Sequence, residues 1–83
     1  SEITQDQLWE KFRQVMVPTL LIRGSESDVL SEDVARRTVK EMKNAHLEIV
    51  KGAGHSVPGD APEGFTDAVR VFLEKIEAVS IQK

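Results

Sequence analysis

Two short apolar runs, Pro18-Thr19-Leu20-Leu21-Ile22-Arg23 and Leu47-Glu48-Ile49-Val50-Lys51, constrain this chain more than anything else in it. Each runs into a glycine turn. Gly24 closes the first, and the polar turn Ser25-Glu26-Ser27-Asp28 follows. Gly52-Ala53-Gly54 closes the second and presents His55. The first run lacks the alternation of a one-sided strand, which predicts a strand covered on both faces, as in a parallel sheet. Between the runs, residues 32–43 carry apolar side chains at helical spacing. Strand, helix and strand in this order make a βαβ unit, whose crossover is right-handed in nearly all sheets.

Three helices are expected around the two strands. Residues 4–15 read as an amphipathic helix, with Leu8, Trp9, Phe12, Val15 and Met16 at helical spacing and Thr4 or Asp6 as the cap. Trp9 and Phe12 read as core side chains, and Pro18 ends the helix region by pushing its predecessor out of helical space. The second helix, Glu32 to Lys43, has Ser31 as N-cap, acidic residues in its first turn and lysines near its last. Its stripe is Val34, Ala35, Val39 and Met42, and Asn44 is expected as a left-handed C-cap. The last helix is expected to start from Asp60 as N-cap, with Pro62 in its first turn. Phe65, Val69, Phe72, Leu73, Ile76 and Val79 would form its apolar face, with fraying beyond Val79.

Composition bounds the rest. At 83 residues the chain is at most one small domain. A chain of that size hides only about 60% of its unfolded surface. It has no cysteine, so neither a disulfide nor a thiolate metal site reinforces that core, and no metal or cofactor is expected. Eleven basic and 14 acidic residues are interspersed, which disfavours nucleic acid and anionic membrane as partners. No run approaches the length of a spanning helix and no signal-peptide pattern opens the chain, so a cytoplasmic protein is expected. Ser1 in place of methionine points to processing or to a piece of something longer.

Geometry gives Asp28 and His55 a shared address. Parallel neighbouring strands lie about 4.8 Å apart and end on the same sheet edge, where ligands bind in open α/β sheets. Two residues 27 positions apart can therefore meet there in a hydrogen bond. A histidine acting as general base needs a carboxylate to orient its far nitrogen and to stabilise the imidazolium. Asp28 and His55 are accordingly the candidate catalytic acid and base, with Glu26 as rival for the acid. His46, at a strand start, reads as exposed structure. Ser25, Ser27 and Ser56 are poor nucleophiles, since none lies in a Gly-x-Ser-x-Gly elbow; Ser56 reads as a loop hydrogen-bonder. Gly52-Ala53-Gly54 lacks the third glycine of a dinucleotide fingerprint.

The stretches Leu8-Trp9, Val17 to Gly24 and Ser27 to Ser31 resemble the penultimate-strand region of α/β-hydrolase fold enzymes. Gly52 to His55, Asp60, Pro62, Phe65 and Val71-Phe72-Leu73 resemble that fold's last strand, histidine loop and closing helix. The resemblance covers roughly residues 8–74. It implies an α/β fold of order helix-strand-helix-strand-helix, with two parallel strands forming the C-terminal part of an α/β-hydrolase sheet. It matches Asp28 to the triad acid and His55 to the triad base. It also implies that residues 1–83 are a single partial domain, the C-terminal third of a serine-type esterase- or lactonase-like hydrolase. Nucleophile and oxyanion hole would then lie outside the chain, which would be inactive alone. An ester-like small molecule is the implied substrate of the intact enzyme.

Two other readings stand beside this one. A two-stranded unit has two open edges, so the chain is also readable as a non-catalytic βαβ module. Such a module would act as a homo-oligomer or by association with a missing N-terminal part. A nucleotide-binding βαβ unit is the third reading, disfavoured by the missing phosphate loop.

Overall fold

The computed structural model describes residues 3–81. The elements are α1 (Gln5–Arg13), β1 (Thr19–Gly24), α2 (Glu32–Glu41), β2 (Ala45–Val50), a one-turn helix α3 (Val57–Asp60) and α4 (Pro62–Ile81). The two strands pair in parallel, from Thr19 opposite Ala45 to Gly24 opposite Val50. The ladder is extended at its start by the Thr19 N–H donating to the Asn44 carbonyl at 2.9 Å.

The pairing assigns the faces. In a strand, alternate side chains share a side. Ile22 and Val50 pack with Ala53, Val57, Ala61 and Phe65, on the α3–α4 side. His46 meets Phe72 of α4 edge-on on the same side, ring centroids 5.9 Å apart. Leu21, Arg23, Leu47 and Ile49 occupy the opposite face, toward α2, whose Ala35 is fully buried. β1 is thus covered on both sides, as its unbroken apolar run predicts. The buried core is small-sidechained: Ala35, Val50, Ala53, Val57 and Ala68. No large side chain among the described residues is fully buried, which is the thin core expected of so short a chain.

The helix ends follow local chemistry in part. Thr4 caps α1 with a reciprocal capping box: its hydroxyl accepts the Gln7 N–H and the Gln7 side chain accepts the Thr4 N–H. The helix stops at Arg13, sooner than expected, because Gln14 and Val15 close it with tight i to i−3 bonds to Lys11 and Phe12. α1 packs on α2 and not into the main core. Trp9 and Phe12 are only half-buried, with ring centroids 5.7 Å apart. The Arg37 guanidinium lies 4.1 Å over the Trp9 ring. Arg13 bridges to Glu41 at 2.8 Å.

Ser31 caps α2 as predicted, accepting the Val34 N–H. Asn44 does not adopt a left-handed conformation; among the described residues only Gly52 has positive φ. α2 ends instead at Met42, whose backbone is extended, and a turn at 43–44 leads into β2. Asp60 does not begin α4 as its cap. It closes α3, and its carboxylate turns back to the histidine loop. The buried stripe of α4 runs through Phe65, Ala68, Val69, Phe72 and Ile76, whereas Leu73 and Val79 are exposed. Val34 of α2 is also exposed. α4 runs on to Ile81, past the point where fraying is expected; of the tail, only residues 82–83 lie outside the described ones.

Candidate active site

The site edge is built by fastening two loops to each other. The Ser25 N–H donates to the Val50 carbonyl at 2.9 Å and the Glu26 N–H to the Ala53 carbonyl at 2.8 Å, so pairing continues past the strand ends. The Ser25 hydroxyl accepts the Gly52 N–H at 2.8 Å and donates to the Glu26 carboxylate at 3.1 Å. Gly24 admits this approach. A β-carbon there would collide with the carbonyl oxygens of Gly54 and Ala53. Gly52 carries the turn, with φ +81° and the Ala53 N–H reaching back to the Val50 carbonyl at 3.4 Å. A positive φ at the third residue is the signature of a type II turn.

Each loop also has its own brace. In the loop that carries Asp28, the Ser27 hydroxyl accepts the N–H groups of Val29 and Leu30 at 3.4 and 3.2 Å. Arg23, buried at 8% exposure, donates its Nε–H to the Leu30 carbonyl at 2.6 Å and its Nη2–H to the Ser27 carbonyl at 3.3 Å. In the histidine loop, the Asp60 carboxylate accepts the Gly54 N–H at 2.9 Å. The loop then enters α3, whose Val57 is buried.

Asp28 follows the end of β1 by four residues and His55 follows β2 by five, so both lie on the loops at the C-terminal edge of the sheet. The two loops are brought together; the two side chains are not. Asp28 and His55 are both exposed, and no hydrogen bond or ion pair among the described residues joins them. In the open, water competes for both partners of such a pair. Glu26, the rival acid, is bonded to Ser25. Ser25 and Ser27 are tied up in loop architecture, and Ser56 starts α3 with no side-chain capping bond. His46 lies at the opposite end of the sheet, exposed, in an apolar groove with Pro18, Phe72 and Ile76. Among the described residues there is no cluster of three metal-ligating side chains, and no helix is long and apolar enough to cross a membrane.

Arg23 and Asp60 are the site-shaping residues that sequence reasoning misses. Arg23 leaves a trace: a lone charge closing an otherwise apolar strand. Asp60 is visible, but as a helix cap.

No protein-family model matches the chain. Similar proteins do exist. Monoacylglycerol lipase ABHD6 of Rattus norvegicus is 30% identical over 76 residues, 92% of this chain and 23% of that protein. Esterase YbfF of Escherichia coli is 31% identical over 65 residues, 78% of this chain and 26% of that protein. Among solved structures, a predicted CIB-like hydrolase from Thermoplasma acidophilum superimposes with a TM-score of 0.77 at 28% identity, covering 84% of this chain and 34% of the other. The chain spans about a quarter of the length of the curated relatives it matches. Sequence and fold therefore agree that this chain corresponds to the C-terminal segment of an α/β-hydrolase fold enzyme, carrying two parallel strands, the loops that follow them and the closing helix.

Proposed function

We propose that this chain supplies the acid and the base of a serine-type α/β-hydrolase acting on an ester-like small molecule. The observation that carries the reading is the fastening of the Asp28 and His55 loops to one another across Ser25–Val50, Glu26–Ala53 and Gly52–Ser25. That much shared architecture around two exposed side chains that bond to nothing among the described residues is unnecessary for a surface turn and suits a site.

In the intact enzyme, His55 takes the proton from a serine hydroxyl as that oxygen attacks the ester carbonyl. It returns the proton to the departing alcohol. It then deprotonates water, which cleaves the acyl-enzyme to acid and free serine. Asp28 holds the imidazole tautomer and stabilises the imidazolium. The nucleophile and the oxyanion donors come from elsewhere in the polypeptide, so residues 1–83 alone do not turn over substrate.

The test is His55→Ala in the intact polypeptide that carries this chain, assayed on a short-chain p-nitrophenyl ester. A loss of roughly six orders of magnitude in kcat is expected. His55 is exposed, so the thermal midpoint should stay put. Turnover within tenfold of wild type would overturn the assignment.

Each strand is paired along one edge only among the described residues, which favours association as part of the same reading. The open edges take further strands, from the remainder of the polypeptide or from a second copy. Sedimentation of the 83-residue chain tests this, and a stable monomer at high micromolar concentration would count against it.

A further inference from the structure

We propose that Arg23 is the positioning residue of the acid loop, setting where Asp28 stands by gripping the chain on both sides of it. This rests on the reading of Asp28 and His55 as acid and base. Arg23 is the one buried charged residue among those described. It has no carboxylate within ion-pair distance among them. Burying a cation without a counter-ion is costly, and here only two backbone carbonyls offset that cost. Something other than stability has to account for a guanidinium here.

Its two bonds supply that account. Nε–H meets the Leu30 carbonyl at 2.6 Å, the shortest side-chain hydrogen bond among the described residues. Nη2–H meets the Ser27 carbonyl at 3.3 Å. These carbonyls bracket Asp28. The planar fork of arginine reaches both at once, whereas a lysine ammonium on its flexible stem does not fix that spacing. The stem of Arg23 is itself rooted in β1, opposite Ile49 of β2. The position of Asp28 is therefore referred to the sheet, and through the sheet to the strand from which the His55 loop departs. The hydroxyl of Ser27 adds curvature within the loop but has no anchor on the sheet.

The experiment compares Arg23→Met and Arg23→Lys with wild type in the intact polypeptide. Methionine should leave the thermal midpoint nearly unchanged, since it fills the space without a buried charge. The Val29 and Leu30 N–H groups are held only by the Ser27 hydroxyl, so once the loop loses its anchor on Arg23 their exchange should quicken by about tenfold, while the Phe65 amide of α4, bonded to Ala61, is unaffected. On the p-nitrophenyl ester, kcat should fall roughly 10- to 100-fold with KM within about twofold, as for a misplaced catalytic group. Lysine should give intermediate values of both. Exchange at Val29 and Leu30 identical to wild type in either variant would overturn the proposal, as would a loss carried by KM. If methionine prevents folding, the lysine variant decides by the same exchange readout. The exchange measurement is independent of turnover. An active His55→Ala enzyme would therefore sink the acid-base reading alone, and unchanged exchange would sink the role of Arg23 alone.

Discussion

Gly24 lies so close beneath Gly54 that no β-carbon fits between residue 24 and the Gly54 carbonyl. This contact joins the end of β1 directly to the loop that presents His55. The neighbours are backbone atoms, which cannot swing aside as a side chain would. Gly24→Ala should therefore cost about 1–3 kcal/mol, toward the upper end of that range for overpacking, and should part the two loops. Urea denaturation gives the first quantity. An alanine variant within about 0.5 kcal/mol of wild type, the scatter of surface substitutions, would show that the loops are free to separate.

Gly52 has the opposite constraint. Space around it is open, with nothing within 4 Å of where a β-carbon would stand, but its φ is +81°. Strain and not collision sets the cost. Gly52→Ala should lose about 1 kcal/mol, and Gly52→Asn less, since asparagine tolerates the left-handed region better than alanine does. Equal losses for the two variants, seen by the same denaturation, would show that φ is not what matters at this position.

Asp60 braces the histidine loop through the Gly54 N–H at 2.9 Å. Asp60→Ala removes the acceptor and should cost about 0.5–1.5 kcal/mol, the usual worth of such a bond. Asp60→Asn keeps a carbonyl oxygen there and should recover most of it. In the intact polypeptide, kcat on the p-nitrophenyl ester should follow the same order, wild type above asparagine above alanine. An asparagine variant as impaired as alanine would assign the effect to charge instead of to the bond.

What the sequence makes legible is what neighbouring residues decide among themselves. The parallel pair of strands, the Thr4 and Ser31 caps and the glycine turn at residue 52 are all local or periodic features. The loops bearing Asp28 and His55 can be assigned to one edge because strand-helix-strand topology leaves them no other. The features that sequence misplaces are those settled by partners distant in space. Asp60 looks like a cap until Gly54 offers it a donor. Asn44 looks like a left-handed end until its carbonyl is needed by Thr19. Trp9 looks like core until α1 is seen to stack on α2 beneath Arg37. Arg23 has no local signal of its target at all, since the carbonyls it grips lie beyond the end of its own strand.

The α1–α2 contact should be pH-sensitive. Hydrogen bonding from Arg13 holds the Glu41 carboxyl below its ordinary range, against a smaller opposing effect of burial. A carboxyl whose pKa is lowered on folding adds stability above its unfolded value and loses it as pH falls through the folded one. The difference in thermal midpoint between wild type and Glu41→Gln should therefore be present at about pH 7 and shrink toward zero as the solution is taken well below about pH 4, the ordinary carboxylate range. A constant difference across that window would mean that Glu41 contributes by packing and not by its bond to Arg13.

Gly64 sets two effects of opposite sign against each other. It sits inside α4, where alanine is favoured over glycine by about 1 kcal/mol. Yet a β-carbon at residue 64 would lie 2.7 Å from the Cγ1 methyl of Val50. Valine is stiff at χ1, and Val50 is a buried member of the core, so the methyl has little room to retreat. Overpacking of this kind costs about 1–3 kcal/mol, which should outweigh the helical gain and leave Gly64→Ala destabilised by up to roughly 2 kcal/mol. Val50→Ala removes the offending methyl. In that background the added alanine meets space instead of a clash, and the same Gly64→Ala substitution should become stabilising. A double-mutant cycle reads the coupling directly. If Gly64→Ala has the same sign in both backgrounds, α4 is free to shift away from β2, and the close approach at Val50 does not fix the position of the closing helix.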